Sequence, residues 1–162
     1  MRPYFEKMDA LGKELPQKTK DRNAENKKKI DEEEAKVAEA IKGVVDAGKP
    51  AAKVHERGQL TAMERIDLLV DNDSFLPMNS LFDPHGNVEN STGIISGLAA
   101  IEQRQCVVVA SDNKVLAGAW IPGQGEQIFR AADMAQLLNI PLIWVLNCSG
   151  VKLTQQEEVY AG

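Results

Sequence analysis

At 162 residues the chain has room for one domain of ordinary size or for part of a larger one. Hydrophobic residues at 43% and charged residues at 27% exclude collagen-like, disulfide-scaffold and wholly disordered chains. A formal charge of -5 argues against a nucleic-acid binder held by phosphate neutralisation. Cys106 and Cys148 belong to no Cys-x-x-Cys pair, so neither a zinc ribbon nor a disulfide framework is expected, and reduced, intracellular thiols are.

Glu6, Lys7, Asp9, Lys13 and Glu14 interrupt residues 1–15, leaving no apolar core for a secretory signal. Residues 17–36 hold seven Lys or Arg and six Asp or Glu without Gly or Pro, a solvated helical composition. Ile30, Val37, Ile41 and Val44 then recur at helical spacing, and Gly48 and Pro50 stop the pattern. The spacing predicts a long helix over 18–47, packed by a narrow stripe against something else. It reads as a docking or lid helix, or as a plain surface helix.

Thr61 and Glu64 form a capping box, with Leu60 as a staple, ahead of a short helix over 62–70. Met63, Ile66, Leu69 and Val70 share its expected core face. A turn-rich stretch follows over 71–91, its clearest loop at Asp83-Pro84-His85-Gly86-Asn87. Residues 92–101 and 106–110 read as buried strands joined by a polar connection over 102–105. The run at 115–120 leads to Gly123-Gln124-Gly125, a helix over 126–138 and an apolar strand over 142–146. Residues 140–146 are the longest apolar stretch, and seven residues fall far short of the roughly 18 to 20 that span a bilayer, so any membrane link would come through a partner. Strand, strand, helix, strand and a helix start make an α/β fold with strand ends facing a site. The chain stops at Gly162, about a dozen residues past the last strand, which predicts a truncated fold.

Asn147-Cys148-Ser149-Gly150-Val151 ends that strand in a small-residue turn ahead of a helix. Such a turn gathers backbone N–H groups, so donors near Gly150 and Val151 could hold negative charge on a carbonyl oxygen, aided by the helix dipole. The plainer alternative is a tight β–α turn. Gly123-Gln124-Gly125 lacks the third glycine of a dinucleotide site, since Ile128 stands there, and the Lys-Ser/Thr of a P-loop. Cys148 with His55 or His85 as a base is weighed against a small packed thiol. Two isolated histidines leave no metal site, and Asp112, Asp133, Glu157 and Glu158 show no division into acid and base.

Taken in order, Gly58-Gln59-Leu60-Thr61-Ala62-Met63-Glu64-Arg65-Ile66-Asp67-Leu68-Leu69, Ser111-Asp112 ahead of Ala117-Gly118-Ala119, Arg130-Ala131-Ala132-Asp133-Met134-Ala135, Pro141-Leu142-Ile143 and Ser149-Gly150-Val151 resemble the N-terminal half of a biotin-dependent acyl-CoA carboxyltransferase. The charged N-terminal segment is similar to that of the carboxyltransferase α subunits of glutaconyl-CoA decarboxylases, which are biotin-dependent sodium pumps. The resemblance implies a crotonase-like fold of ββα repeats, with residues 1–53 as a helical extension and 54–162 as an incomplete acyl-CoA-binding part. It implies carboxyl transfer from glutaconyl-CoA to biotin on a separate carrier protein, with crotonyl-CoA as product.

By the same resemblance, Gly150 and Val151 match the oxyanion donors, and Ala117, Gly118 and Ala119 match a small-residue strand along the coenzyme A thioester. Lys152 is a candidate for a phosphate or the distal carboxylate. Further implied are a homodimer, a biotin carrier subunit, membrane decarboxylase subunits reached through a complex, and a cytoplasmic location peripheral to the membrane. Many relatives carry Asp-Ser-Gly-Gly-Ala where this chain has Asn147-Cys148-Ser149-Gly150-Val151, which keeps a methylmalonyl- or methylcrotonyl-type substrate open, as is a non-catalytic assembly module.

Overall fold

The computed structural model describes residues 12, 14–86 and 91–160. Asn87 of the expected loop, most of the segment read for a secretory signal, and Ala161 and Gly162 lie outside them. The chain divides into two compact units, Met1–Ala38 and Glu39–Gly162.

The first unit holds most of helix α1 (Gln17–Val45). Its surface is laced by Lys27–Asp31, Lys29–Glu25 and Lys36–Glu33 pairs at 3.1, 3.0 and 2.6 Å. Spacings of three and four residues put these charges side by side on a helix, where each pair adds a few tenths of a kcal/mol. None of the described residues of α1 is buried; of the expected stripe, Ile30, Val37 and Ile41 are exposed and Val44 is half-buried. The expected packing is therefore not made at Ile30, Val37 and Ile41 among the described residues.

In the second unit the elements after α1 are α2 (Ala51–His55), α3 (Ala62–Leu69), β1 (Leu76–Met78), β2 (Ile94–Ile101), β3 (Arg104–Ser111), α4 (Gln124–Leu138), β4 (Leu142–Val145) and α5 (Gln156–Tyr160). The four strands form one sheet in the order β1-β2-β3-β4. The first three pair antiparallel, and β3 pairs parallel with β4 across the α4 crossover. β3 is covered on both faces. Cys106, Val108 and Ala110 pack with Ala62 and Ile66 of α3, while Val107 and Val109 pack with Ala131 and Ala135 of α4. A strand enclosed in this way reads as a continuous apolar run.

The capping box of α3 forms as read. Thr61 N–H donates to Glu64 Oε2 at 2.7 Å, and Glu64 N–H donates to Thr61 Oγ1 at 3.3 Å. The core face of α3 differs from the expected one, because Ala62 and Ile66 are fully buried whereas Met63 and Leu69 are 40% and 36% exposed. An eight-residue helix meets the sheet along a single i, i+4 ridge, and its flanking positions stay open.

Two elements fall in segments without a strong periodic signal. β1 is a three-residue edge strand containing Pro77, a residue that reads as a breaker and is tolerated only at an edge. α2 begins directly after Pro50, so the residue that stops α1 also opens the next helix.

The β2–β3 connection is shorter than the polar run suggests. Only Glu102 and Gln103 form the turn, both left-handed at φ 49° and 66°. The Asp71 carboxylate accepts their two N–H groups at 2.9 and 2.8 Å, which holds a turn that non-glycine residues enter reluctantly. Asp71→Ala should lower the unfolding free energy by about 1–2 kcal/mol in urea denaturation, the net worth of charged hydrogen bonds at a partly exposed site.

Glu64 is the most perturbed exposed carboxylate described. A hydrogen bond from His55, at 2.9 Å, and the Thr61 N–H lower its pKa from the ordinary 4.5 to about 2. A carboxyl lowered on folding adds stability that is complete above its unfolded value and is lost as pH falls through its folded value. The stability difference between the parent and Glu64→Gln should therefore shrink as pH falls from 4.5 towards 2, as read by denaturation at a series of pH values.

Candidate functional site at the carboxyl ends of two parallel strands

The register Val107↔Leu142 through Ala110↔Val145 brings the carboxyl ends of β3 and β4 side by side. In open α/β sheets, ligands bind outside such ends. Past β3 the chain turns at Asp112 and enters a 3-10 turn, Leu116–Gly118. Past β4 it runs through Asn147 to Val151 without regular structure.

The resemblance placed a small-residue strand at Ala117, Gly118 and Ala119. The structure has a left-handed turn instead, with Leu116, Ala117 and Gly118 at φ 46°, 56° and 77°. L-residues enter this region at a cost of about 1–2 kcal/mol each, so Leu116 and Ala117 are held there by their surroundings. Pairing resumes only at Trp120, which forms a parallel bridge with Val151.

The surroundings are the second segment. Trp120 N–H donates to Gly150 O at 2.8 Å, Lys152 N–H donates to Trp120 O at 3.0 Å, and the Ser149 hydroxyl donates to Leu116 O at 3.2 Å. Gly118 is buried, and a Cβ there would collide with the Asn147 carbonyl oxygen. Only glycine combines that approach with its positive φ. Gln124, buried at the start of α4, donates from Nε2 to Ala119 O at 3.0 Å and pins the exit of the turn. The tertiary structure thus joins the two segments singled out in the sequence, 117–119 and 150–151.

The two expected donors differ in state. The Gly150 N–H donates to Cys148 Sγ at 3.4 Å. The Val151 N–H makes no hydrogen bond among the described residues. Its direction is nevertheless set. A trans peptide holds its C=O and N–H antiparallel in one plane, and the Gly150–Val151 peptide spends its C=O on Trp120. The Val151 N–H must then point to the side opposite Trp120. Gly150, at φ 114°, supplies the backbone angle that this path needs. The turn is exposed at Cys148, Ser149 and Gly150, and Val151 is half-buried. A hydrogen bond made there strengthens when a ligand or further protein excludes water.

The expected helix dipole does not reach this turn. After Val151 comes a 3-10 turn, Leu153–Gln155, and α5 has only five residues with Glu157 and Glu158 in its first turn. Main-chain geometry, rather than a helix N-terminus, directs the donor. The N-terminus of α4 carries a negative charge of its own. The Glu126 carboxylate takes up the charge there, its pKa lowered by a hydrogen bond from His85 at 3.0 Å and by backbone N–H groups. His55 is tied to Glu64 and His85 to Glu126, while Cys148 Sγ meets the backbone of Gly150. The thiol–histidine pair is not formed.

Sequence reasoning missed the Ser149 hydroxyl link, the left-handed Leu116 and the buried Gln124. Of these, Ser149 alone lies inside the turn that the sequence singles out for its backbone donors.

The carboxyl transferase domain family matches residues 53–162. This chain belongs to that family. It is 50% identical over 157 residues to glutaconyl-CoA decarboxylase subunit alpha of Acidaminococcus fermentans, covering 97% of this chain and 26% of that protein. It is 34% identical over 133 residues to a probable biotin-dependent acyl-coenzyme A carboxylase beta2 subunit of Mycobacterium tuberculosis, covering 82% and 25%. Among solved structures, the transcarboxylase 12S hexamer with methylmalonyl-coenzyme A bound is similar at a TM-score of 0.68 and 21% identity, covering 78% of this chain and 26% of that one. The fold is therefore that of the crotonase-like carboxyltransferases, a class of biotin-dependent enzymes. The chain spans about a quarter of the length of these relatives. Among the described residues no helix is long and apolar enough to cross a membrane.

Gly118→Ala should destabilise the second unit by about 2–3 kcal/mol, since the new Cβ meets a backbone oxygen at a left-handed residue. Urea denaturation monitored by Trp120 and Trp144 fluorescence measures it, as the two rings lie edge to face 6.2 Å apart beside the turn.

Proposed function

We propose that residues 54–162 are the acyl-CoA-binding part of the carboxyltransferase subunit of a glutaconyl-CoA decarboxylase, with residues 1–53 as a helical extension. The observation that carries this reading is the Val151 N–H, a directed donor unspent among the described residues, at the paired carboxyl ends of β3 and β4. The close identity to a glutaconyl-CoA decarboxylase α subunit supports the choice of substrate.

In the proposed reaction the bond between C4 of glutaconyl-CoA and its carboxyl carbon breaks. The electron pair stays with the acyl chain and spreads through the double bond to the thioester oxygen, and a proton then gives crotonyl-CoA. Biotin on a carrier subunit would accept the carboxyl group, and no residue of this chain is assigned to hold it. The task of this chain is to stabilise the oxygen, whose charge grows along the reaction. A preset N–H favours the charged state over the ground state because it needs no reorientation when the charge develops. Gly150 shapes the turn beside Val151. Ala117, Gly118 and Ala119 line the path of the coenzyme A arm, and the Ala117 N–H, which makes no hydrogen bond among the described residues, is the natural contact within that turn.

The same reading assigns a carrier subunit, a homodimer, and membrane-bound decarboxylase partners that couple the reaction to sodium from the cytoplasmic face. The identity to an acyl-coenzyme A carboxylase subunit favours, as the second reading, a carboxyltransferase acting on another acyl-CoA.

Calorimetric titration with glutaconyl-CoA, crotonyl-CoA and free CoA tests the proposal. Micromolar binding, worth about 8 kcal/mol, is expected for the two thioesters, with weaker binding of CoA. Stronger binding of methylmalonyl- or methylcrotonyl-CoA would move the assignment to the second reading. A folded sample that binds none of them would sink the acyl-CoA assignment and leave an assembly module.

A further inference from the structure

We propose that Ser149 is a positioning residue whose hydroxyl, bonded to Leu116 O, keeps the Val151 N–H aimed at the thioester oxygen. The inference rests on the acyl-CoA reading above and adds to it a side chain that tunes an otherwise main-chain site.

Four contacts join the left-handed turn to the 147–152 segment: two hydrogen bonds at Trp120, the packing of Gly118 on Asn147 O, and the Ser149 hydroxyl on Leu116 O. Three of them belong to the main chain, and sequence can alter them only by changing the fold. The fourth is a side-chain bond, and it attaches immediately before Gly150. Glycine leaves the peptide planes on either side of it free to rotate. On one side, the Gly150–Val151 peptide is held by the bond from Trp120 N–H to Gly150 O. On the other, the described restraints are the Ser149 hydroxyl and the weak bond from Gly150 N–H to Cys148 Sγ, whose contact with Gly150 O falls on the first side.

The acceptor is as informative as the donor. Leu116 O already receives the Ala119 N–H at 3.2 Å inside the turn. The Ser149 hydroxyl occupies its second lone pair, so one oxygen secures both the strained turn and the donor segment. Leu116 has no glycine's freedom to accept φ 46°, and the conformation persists because such outside contacts hold it. Loss of the hydroxyl releases the turn and the glycine hinge together. The side chain is exposed, so the change leaves no buried polar group unpaired and should leave the fold intact.

The test is difference Raman spectroscopy of crotonyl-CoA bound to the parent, Ser149→Ala and Ser149→Thr, with circular dichroism confirming equal folding. Polarisation by the Val151 N–H lowers the thioester C=O stretch in the parent. In Ser149→Ala the stretch should move back towards its free value and crotonyl-CoA affinity fall about three- to tenfold, the range of one net hydrogen bond. Ser149→Thr, which keeps the hydroxyl, should restore both. An unchanged stretch in folded Ser149→Ala overturns the positioning role while leaving the acyl-CoA reading standing. A parent that binds crotonyl-CoA without any lowering, or does not bind it, overturns that reading and this inference with it.

Discussion

The constraint on which the rest of this structure depends is the enclosure of β3. Val107, Val108 and Val109 are essentially inaccessible, with α3 on one face of the strand and α4 on the other. A strand buried on both faces cannot slip by one residue without exchanging its two cores, so its register against β2 and β4 is strongly specified. The parallel register with β4 in turn sets where each chain leaves the sheet. From that follow the meeting of residues 116–120 with 147–152 and the orientation of a single peptide plane.

The proposed site is made from main-chain groups, and that has consequences of its own. Its donor has no side chain to be recognised in a sequence, and the side chains near it act through geometry. Gly118 makes room for the Asn147 carbonyl, Gln124 holds Ala119 O, and Ser149 ties Leu116 O. Strain belongs to the same arrangement. Two non-glycine residues sit in the left-handed region because contacts from a segment some 30 positions later hold them there. Such strain resists relaxation, and a donor fixed before charge develops is worth more than one that must turn to meet it.

Several features were legible because they are local. The Thr61–Glu64 capping box is a four-residue pattern and forms as read. The periodic segments gave α1, α4 and the buried strands to within a few residues, since hydrophobic period reports burial directly. β1 was not legible, because a three-residue edge strand with a proline has too little pattern to stand out from a turn. Nor was the narrow core face of α3, where the sheet accepts Ala62 and Ile66 and leaves Met63 open. The turn at Leu116–Gly118 escaped for a different reason. Leucine and alanine prefer right-handed or extended backbone, and only long-range contacts reverse them.

The sequence by itself determined the family and the α/β class, and it singled out the two segments 117–119 and 150–151 that the fold brings together. It could do so because motif order and hydrophobic period are written in neighbouring residues. The tertiary structure decided which N–H is spent and which makes no hydrogen bond among the described residues, that 116–118 is a left-handed turn rather than a strand, and that α5 lends no dipole to the 147–151 turn. Those outcomes depend on which carbonyl faces which N–H across the β3–β4 crossover. That pairing is a property of the packed sheet, and no stretch of sequence contains it.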